Sequence, residues 1–217
     1  MVKICGLTSP DEALACVKAG ADAIGFIFYP KSPRYISPDH AANITEKLPN
    51  NIMTTGVFVD DDYKSIMKAV KACSLKAVQL HGNESPLLVK QLVQEGLVVI
   101  KALFAGKEPH LDQANLYHEA DALLVEYGKG ELPGGNGESW NWELARQMAG
   151  SVGKGSNEGL NETKVQRIIL AGGLSPDNIE KAIKMADPWG IDVSSGVEIS
   201  PGRKDVDKVE KLIAQLR

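Results

Sequence analysis

The sequence contains few cysteines, and their spacing excludes two common roles for cysteine. Three occur in 217 residues, at Cys5, Cys16 and Cys73. Such a sparse, odd-numbered set forms no disulfide framework, and no His, Cys or acidic cluster has the short spacing of a metal site. We therefore expect free thiols in a reducing compartment, the cytoplasm, and no bound metal.

Long apolar runs and a large excess of charge are also missing. No run approaches the roughly 18 apolar residues that a membrane span requires, and the N-terminus lacks the basic and apolar regions of a signal peptide. The formal net charge of −4 gives no reason to expect nucleic acid or an anionic membrane as a partner. With 43% hydrophobic and 24% charged residues, the composition is that of an ordinary globular protein.

Two nucleotide-binding motifs are absent as well. The chain has no Walker-type phosphate loop with its lysine, and no dinucleotide glycine fingerprint followed by a ribose-binding acid. Nucleotide-dependent enzymes are therefore disfavoured.

Short apolar segments alternate with amphipathic segments along the chain. The apolar segments are rich in Val, Ile, Leu and Ala, as parallel strands covered by helices are. We predict eight strands, at residues 2–5, 23–28, 53–59, 76–80, 97–102, 121–126, 166–171 and 189–193. Eight strand-and-helix units of about 27 residues fit a compact (β/α)8 TIM barrel, an α/β fold, as a single domain over residues 1–217. An open doubly wound sheet is the alternative.

Ser-Pro pairs mark several of the expected helix starts. Serine suits the N-cap and proline suits the first helical position. Ser9 with Glu12 also has the pattern of a capping box. The pairs occur at 9–10, 37–38, 85–86 and 175–176.

Two glycine-rich stretches interrupt this pattern. Residues 150–164 are polar and are predicted to form a surface loop on the N-terminal side of the barrel, away from chemistry. Residues 127–139 follow strand six on the opposite face, where a loop could close over a ligand.

Polar side chains cluster at the carboxyl ends of the predicted strands, where TIM barrels place their active sites. If the faces that carry them point inward, a thiol, an imidazole and two carboxylates ring one mouth, which suggests a polar ligand or chemistry. The pairs that share a face under period-two alternation are Lys3 with Cys5, Gln79 with His81, Leu124 with Glu126, and Asp192 with Ser194.

Each of these residues also has an ordinary structural interpretation. Cys5 at a strand end is commonly a small buried hydrophobic residue, and His81 is commonly a hydrogen-bonded structural histidine. Glu126 and Asp192, taken singly, are equally consistent with solvated or salt-bridged positions at the rim.

The ends of strands seven and eight have the pattern of a phosphate site. Gly172 and Gly173 follow strand seven, and Ser194, Ser195 and Gly196 follow strand eight. Loops at these two strand ends commonly bind phosphate in this fold, because glycines let backbone N–H groups approach the oxygens. Either element alone is a weak signal, but together they favour phosphate binding.

Arg34 lies in a Lys-Ser-Pro-Arg-Tyr segment after strand two. Its guanidinium could hold a carboxylate in a bidentate fork, and the alternative is an exposed loop arginine. Trp140 and Trp142 are expected to be packing residues.

These motifs, in this order, resemble the phosphoribosylanthranilate isomerase family, enzymes of tryptophan biosynthesis with a ribulose-phosphate-binding TIM barrel. Lys-Ile-Cys-Gly, Gln-Leu-His-Gly and Asp-Val-Ser-Ser-Gly-Val-Glu are specific as a set. The matching segments extend over nearly the whole chain, at residues 3–8, 20–26, 32–36, 56–59, 78–82, 134–137, 170–174 and 192–198.

The resemblance implies an Amadori rearrangement of N-(5-phosphoribosyl)anthranilate to 1-(2-carboxyphenylamino)-1-deoxyribulose 5-phosphate, with no cofactor and no metal. It implies Cys5 as the general base, Glu126 as the general acid and Arg34 beside the anthranilate. The expected partner is a small phosphosugar substrate, and the family includes both monomers and homodimers. The other expected contacts are Gln79, His81 and Asp192 with the substrate and Gly172, Gly173, Ser194, Ser195 and Gly196 with its phosphate.

One position departs from the family pattern. The family acid is normally aspartate, whereas this chain has Glu126, which adds one methylene and about 1.5 Å of reach. The surrounding backbone must compensate, because a misplacement of about 1 Å can be costly to catalysis.

Two other functions are compatible with parts of the pattern. A different phosphosugar isomerase, such as one of the histidine pathway, would use paired aspartates, and Cys5 stands where the first would be. A non-catalytic barrel that binds a phosphate ligand is favoured only by the change at Glu126.

Overall fold

The computed structural model describes residues 1–128, 140–151 and 167–217. Eight parallel strands form a closed barrel in chain order, with β1 paired to both β2 and β8. The predicted TIM barrel is therefore confirmed, and the open sheet is excluded. The barrel strands are β1 Val2–Cys5, β2 Ala23–Ile27, β3 Met53–Phe58, β4 Ala77–Leu80, β5 Val98–Phe104, β6 Ala122–Glu126, β7 Arg167–Leu170 and β8 Gly190–Val193.

Helices follow the strands and cover the barrel. The unit after β5 differs from the prediction, because it contains a 3-10 helix at Leu111–Tyr117 where an α-helix was expected. Beyond the barrel, strands β9 Glu198–Ser200 and β10 Arg203–Lys204 form a small antiparallel sheet. The α-helices are α1 Pro10–Ala19, α2 Pro38–Thr45, α3 Tyr63–Ala72, α4 Pro86–Gln94, α5 Glu143–Ser151, α6 Ile179–Ala186 and α7 Val206–Ala214.

The hydrophobic core has two layers, as the two faces of each strand require. The larger layer lies between the strands and the helices and includes Ile4, Phe26 and Leu123. The smaller layer fills part of the barrel interior and includes Ile100, Leu124 and Ile169. Polar side chains take the remaining space inside the barrel. The period-two alternation inferred from the sequence therefore directs the polar residues of the strand ends into the barrel.

The Ser-Pro pairs mark the start of the helix correctly at α1, α2 and α4, and wrongly at α6. Ser37 and Ser85 cap α2 and α4 by accepting backbone N–H groups three residues on. Ser9 precedes α1, but it makes no side-chain cap, so the predicted capping box is wrong. Glu12 instead accepts the backbone N–H of Lys204 at 2.9 Å.

Helix α6 begins three residues later than its Ser-Pro pair indicated, with Asn178 at the N-cap position. The Asn178 side chain faces backwards, accepting from the Ser175 N–H at 2.9 Å and donating to the Gly173 carbonyl at 2.7 Å. The helix start is thereby used to hold the loop after β7.

Most of both glycine-rich stretches lies outside the described residues, at 129–139 and 152–166, as does the family segment at 134–137. The predictions made for those loops remain predictions. Among the residues that are described, no helix is both long and apolar enough to cross a membrane.

A buried ion pair fixes the turn after β4. The Lys101 ammonium, on β5, donates to the Glu84 carboxylate at 2.8 Å and to the Gly82 carbonyl at 2.6 Å, and both side chains are almost fully buried. Glu84 in turn accepts the backbone N–H groups of Asp60 and Gly82. The turn that follows His81 is therefore held from both sides.

We expect Glu84→Gln to lower the free energy of unfolding by about 3–5 kcal/mol, because it leaves the Lys101 ammonium buried without its ion-pair partner. Chemical denaturation monitored by circular dichroism measures the loss. The matched control is Glu119→Gln, which breaks the exposed Lys90–Glu119 pair at 3.6 Å and should change the free energy by less than about 1 kcal/mol. Equal effects of the two substitutions would contradict this account of the turn.

Candidate active site

A cleft opens at the carboxyl ends of the barrel strands, enclosing about 760 Å³ that includes its opening to solvent. Ten of the eleven predicted site residues line it. Gly196 does not, as described below. The ten are Cys5, Arg34, Gln79, His81, Glu126, Gly172, Gly173, Asp192, Ser194 and Ser195.

Cys5 ends β1 with its side chain directed into the barrel, where it is only 5% exposed. Glycine at position 25 of the neighbouring strand makes room for it, because a Cβ there would lie 2.8 Å from the Cys5 sulfur. Burial raises the pKa of the Cys5 thiol, whereas the charges of Lys3 and Lys204 oppose that rise. The free protein therefore holds Cys5 mainly as a thiol beside two cations that favour the thiolate.

Lys3 and Asp192 form an ion pair beneath Cys5. Their Nζ and Oδ2 atoms lie 2.9 Å apart, and the Lys3 side chain is fully buried. Burial would lower the pKa of Lys3, but the Asp192 carboxylate, together with the Cys5 sulfur when that is ionised, raises it above its usual value, so Lys3 stays an ammonium. The second carboxylate oxygen of Asp192, Oδ1, is buried without a hydrogen-bond partner among the described residues, and Asp192 lines the cleft.

Glu126 ends β6 and forms a chain of contacts with β4. Its Oε1 lies 3.2 Å from His81 Nε2, and His81 Nδ1 lies 3.0 Å from Gln79 Nε2. When the Gln79 amide donates to Nδ1, a neutral His81 carries its proton on Nε2 and donates to Glu126. The Phe104 and His81 rings pack edge to face with their centroids 5.4 Å apart, which restricts the imidazole further.

Glycine at position 172 leaves room for the base of the Glu126 side chain. A Cβ at Gly172 would lie 3.1 Å from the Glu126 Cβ, and Gly172 adopts a φ of 85°, which side-chain-bearing residues rarely do. The sequence had placed Gly172 in the phosphate loop only, and the structure adds this packing role.

Arg34 is buried and already forms the bidentate fork expected of it, but with a carboxylate of the protein itself. Its Nε donates to Glu198 Oε1 at 2.9 Å and its Nη2 donates to Glu198 Oε2 at 2.8 Å. The exposed-loop alternative is therefore wrong. Glu198 also accepts from the Lys204 ammonium at 2.7 Å. Neither Glu198 nor Lys204 was predicted to have a role at the site, and the only signal in the sequence was that Glu198 is the last residue of the Asp-Val-Ser-Ser-Gly-Val-Glu motif.

The loops after β7 and β8 are held together at the cleft. Gly172 and Gly173 both have positive φ, and the Gly173 carbonyl is fixed by Asn178. A Cβ at Gly196 would overlap the Leu174 carbonyl oxygen, so Gly196 joins the two loops by close packing and does not reach the cleft. Trp140 Nε1 donates to the Ala171 carbonyl at 3.0 Å, and both Trp140 and Trp142 are buried as expected.

The arrangement brings a thiol and a carboxyl group to one cleft, together with Arg34 and the loops after β7 and β8. Cys5 and Glu126 lie on strands three positions apart around the barrel, and a small molecule between them can meet both. Within residues 1–128, 140–151 and 167–217, no group of three or more His, Cys, Asp or Glu side chains is placed to hold a metal ion.

Comparison with known proteins gives one consistent result. The family model described as N-(5′phosphoribosyl)anthranilate (PRA) isomerase matches residues 2–215. The N-(5′-phosphoribosyl)anthranilate isomerase of Desulfatibacillum aliphaticivorans is 45% identical over 98% of this chain and 90% of its own length.

Solved structures agree with the sequence comparison. Phosphoribosyl anthranilate isomerase from Thermotoga maritima superposes with a TM-score of 0.85 at 37% identity, covering 99% of this chain and 97% of its own. Another structure is the isomerase in complex with reduced 1-(o-carboxyphenylamino)-1-deoxyribulose 5-phosphate, with a TM-score of 0.82 and 36% identity over 99% of this chain and 96% of that one.

We expect the Cys5 thiol to titrate at a pH above about 8.5, the ordinary pKa of a free cysteine, because burial raises its pKa. The measurement is the ultraviolet absorbance of the thiolate against pH in a Cys16→Ala, Cys73→Ala double variant, which leaves Cys5 as the sole cysteine. Adding Lys3→Met should move the midpoint higher still, since a neighbouring cation is lost. A midpoint below neutrality would contradict the effect of burial.

Proposed function

Because the chain belongs to the N-(5′-phosphoribosyl)anthranilate isomerase family, we propose that Cys5 and Glu126 are the general base and general acid of its reaction. The protein is an isomerase of tryptophan biosynthesis that converts N-(5-phosphoribosyl)anthranilate to 1-(2-carboxyphenylamino)-1-deoxyribulose 5-phosphate. The observation that carries the proposal is the presence of a thiol and a carboxyl group, on β1 and β6, in the lining of one cleft.

The first step opens the furanose ring. Glu126 in its protonated form gives its proton to the ring oxygen, the C1′–O bond breaks, and the anilino nitrogen supplies the electron pair of the new C1′=N bond. His81 then stabilises the Glu126 carboxylate through the Nε2 contact at 3.2 Å. The product of this step is a positively charged Schiff base.

The second step removes a proton from C2′. The Cys5 thiolate takes it, the C–H electrons form a C1′=C2′ bond, and the C1′=N electrons return to nitrogen, giving an enolamine. Loss of the O2′ proton and protonation of C1′ then give the ketone, so the atoms and the overall charge balance. Lys3 and Lys204 support the thiolate, and the positive charge of the Schiff base makes the C2′ proton more acidic.

The remaining site residues hold the two anionic ends of the substrate. We assign the anthranilate carboxylate to Arg34, whose Nη1 is left free of hydrogen bonds to the described residues. We assign the phosphate to the loops of Gly172–Gly173 and Ser194–Ser195, which Gly196 and Asn178 brace. Gln79, His81 and the unpaired Asp192 oxygen face the sugar hydroxyl groups between them.

We also propose an assembly state and a location. One relative is named as a dimeric phosphoribosylanthranilate isomerase from Thermotoga maritima, so we propose a monomer or homodimer here. Three cysteines that are all free support a cytoplasmic location.

We expect Cys5→Ser and Glu126→Gln each to lower turnover by about a hundredfold to ten-thousandfold, the range for loss of a general acid or base. The assay follows the loss of fluorescence of freshly generated N-(5-phosphoribosyl)anthranilate. The control is Cys73→Ala, a second buried free cysteine that does not line the cleft and should leave the rate unchanged.

The same variants separate the proposal from its competitors. Near-normal turnover by Glu126→Gln would remove Glu126 from the mechanism. A wild-type protein that binds the reduced product but does not turn over the substrate would favour the non-catalytic binder.

A further inference from the structure

Lys204 is a buried cation whose only role in the reaction described above is to support the Cys5 thiolate. It lies on β10, beyond the eight barrel strands, and its side chain is fully buried. Its ammonium donates to Glu198 at 2.7 Å, to the Ser194 carbonyl at 3.2 Å and to the Ser194 hydroxyl at 3.4 Å. Its backbone N–H is anchored on Glu12.

Arg34 alone would be a poor receptor for an anion. Glu198 occupies two of its three guanidinium nitrogens and cancels its charge, so the Arg34–Glu198 pair is neutral. A substrate carboxylate approaching Nη1 would meet the field of the Glu198 carboxylate as well as that of the guanidinium. The fork fixes the geometry of Arg34 at the expense of its attraction for anions.

The second cation changes this balance. Arg34 and Lys204 share one carboxylate, which leaves the three side chains with one net positive charge. Burial lowers the pKa of Lys204 in spite of Glu198, and the neighbouring guanidinium lowers it further, so one carboxylate does not fully compensate two buried cations. Excess charge that is costly to bury is expected where an anion will bind.

We propose that Lys204 is a positioning residue for the aromatic carboxylate of the substrate: by sharing Glu198 with Arg34, it restores the positive charge with which the rigidly held guanidinium binds that carboxylate. This role of Lys204 rests on the proposed function. Glu198 fixes the position of the Arg34 guanidinium, and Lys204 offsets the negative charge of Glu198. Lys204 acts through these neighbours without contacting the carboxylate itself.

The test compares two ligands that differ only in the carboxylate. One is reduced 1-(o-carboxyphenylamino)-1-deoxyribulose 5-phosphate, and the other is the same compound without the ring carboxylate. The ratio of their dissociation constants, from calorimetry, reports how strongly the protein favours the carboxylate. A purely structural role for Lys204 would weaken both ligands equally and leave the ratio unchanged.

We expect Lys204→Met to reduce this ratio by about tenfold, the scale of one partly buried charge. Lys204→Gln, which keeps a hydrogen-bond donor but removes the charge, should have the same effect and serves if the Met variant does not fold. The matched control is Lys101→Met, which removes another fully buried lysine outside the cleft and should leave the ratio unchanged.

The decisive variant combines Lys204→Met with Glu198→Gln. It restores one net positive charge on Arg34, so the preference for the carboxylate should return to within about threefold of the wild-type ratio. An unchanged ratio in the Lys204 variants, or no recovery in the double variant, would overturn the inference while leaving wild-type turnover, and hence the proposed function, intact. A wild-type protein that shows no turnover and binds neither ligand would overturn both.

Discussion

The ion pair between Lys3 and Asp192 is the interaction on which the arrangement of the site depends. It joins side chains 189 residues apart in the barrel interior, where β1 meets β8. A lone charge in that interior would be very costly, so each residue requires the other. The pair therefore supports barrel closure and at the same time places an ammonium beside the Cys5 sulfur.

Shared partners recur around the cleft. Lys3 lies between Asp192 and Cys5, His81 between Gln79 and Glu126, and Glu198 between Arg34 and Lys204, so the central residue of each set has two partners. Such networks restrict side-chain rotation before a ligand arrives, which is the preorganisation that acid–base chemistry requires. The glycines at positions 25 and 172 keep the space beside the two reacting groups open.

Sequence reasoning succeeded where local pattern determines structure. Strand positions followed from apolar segments, and the inward direction of Cys5 and Glu126 followed from alternation. It failed where a side chain had more than one possible partner. Ser9 and Glu12 were predicted to form a capping box, but Glu12 instead accepts a hydrogen bond from the backbone of Lys204 on β10. Lys204 carries no sequence signal of its own, since its importance arises only when β10 folds back against Arg34 and Ser194. For the same reason, the sequence did not indicate that Glu198 is the partner of Arg34.

The position of Lys204 separates the charge balance of the site from the strands of the barrel. All eight strands are complete at Val193, yet Glu198 and the second buried cation belong to the segment that follows. With the role proposed for Lys204, substitutions in that short segment would change the ligand preference of the cleft without altering any barrel strand. Ligand preference and barrel architecture can therefore vary independently in this protein.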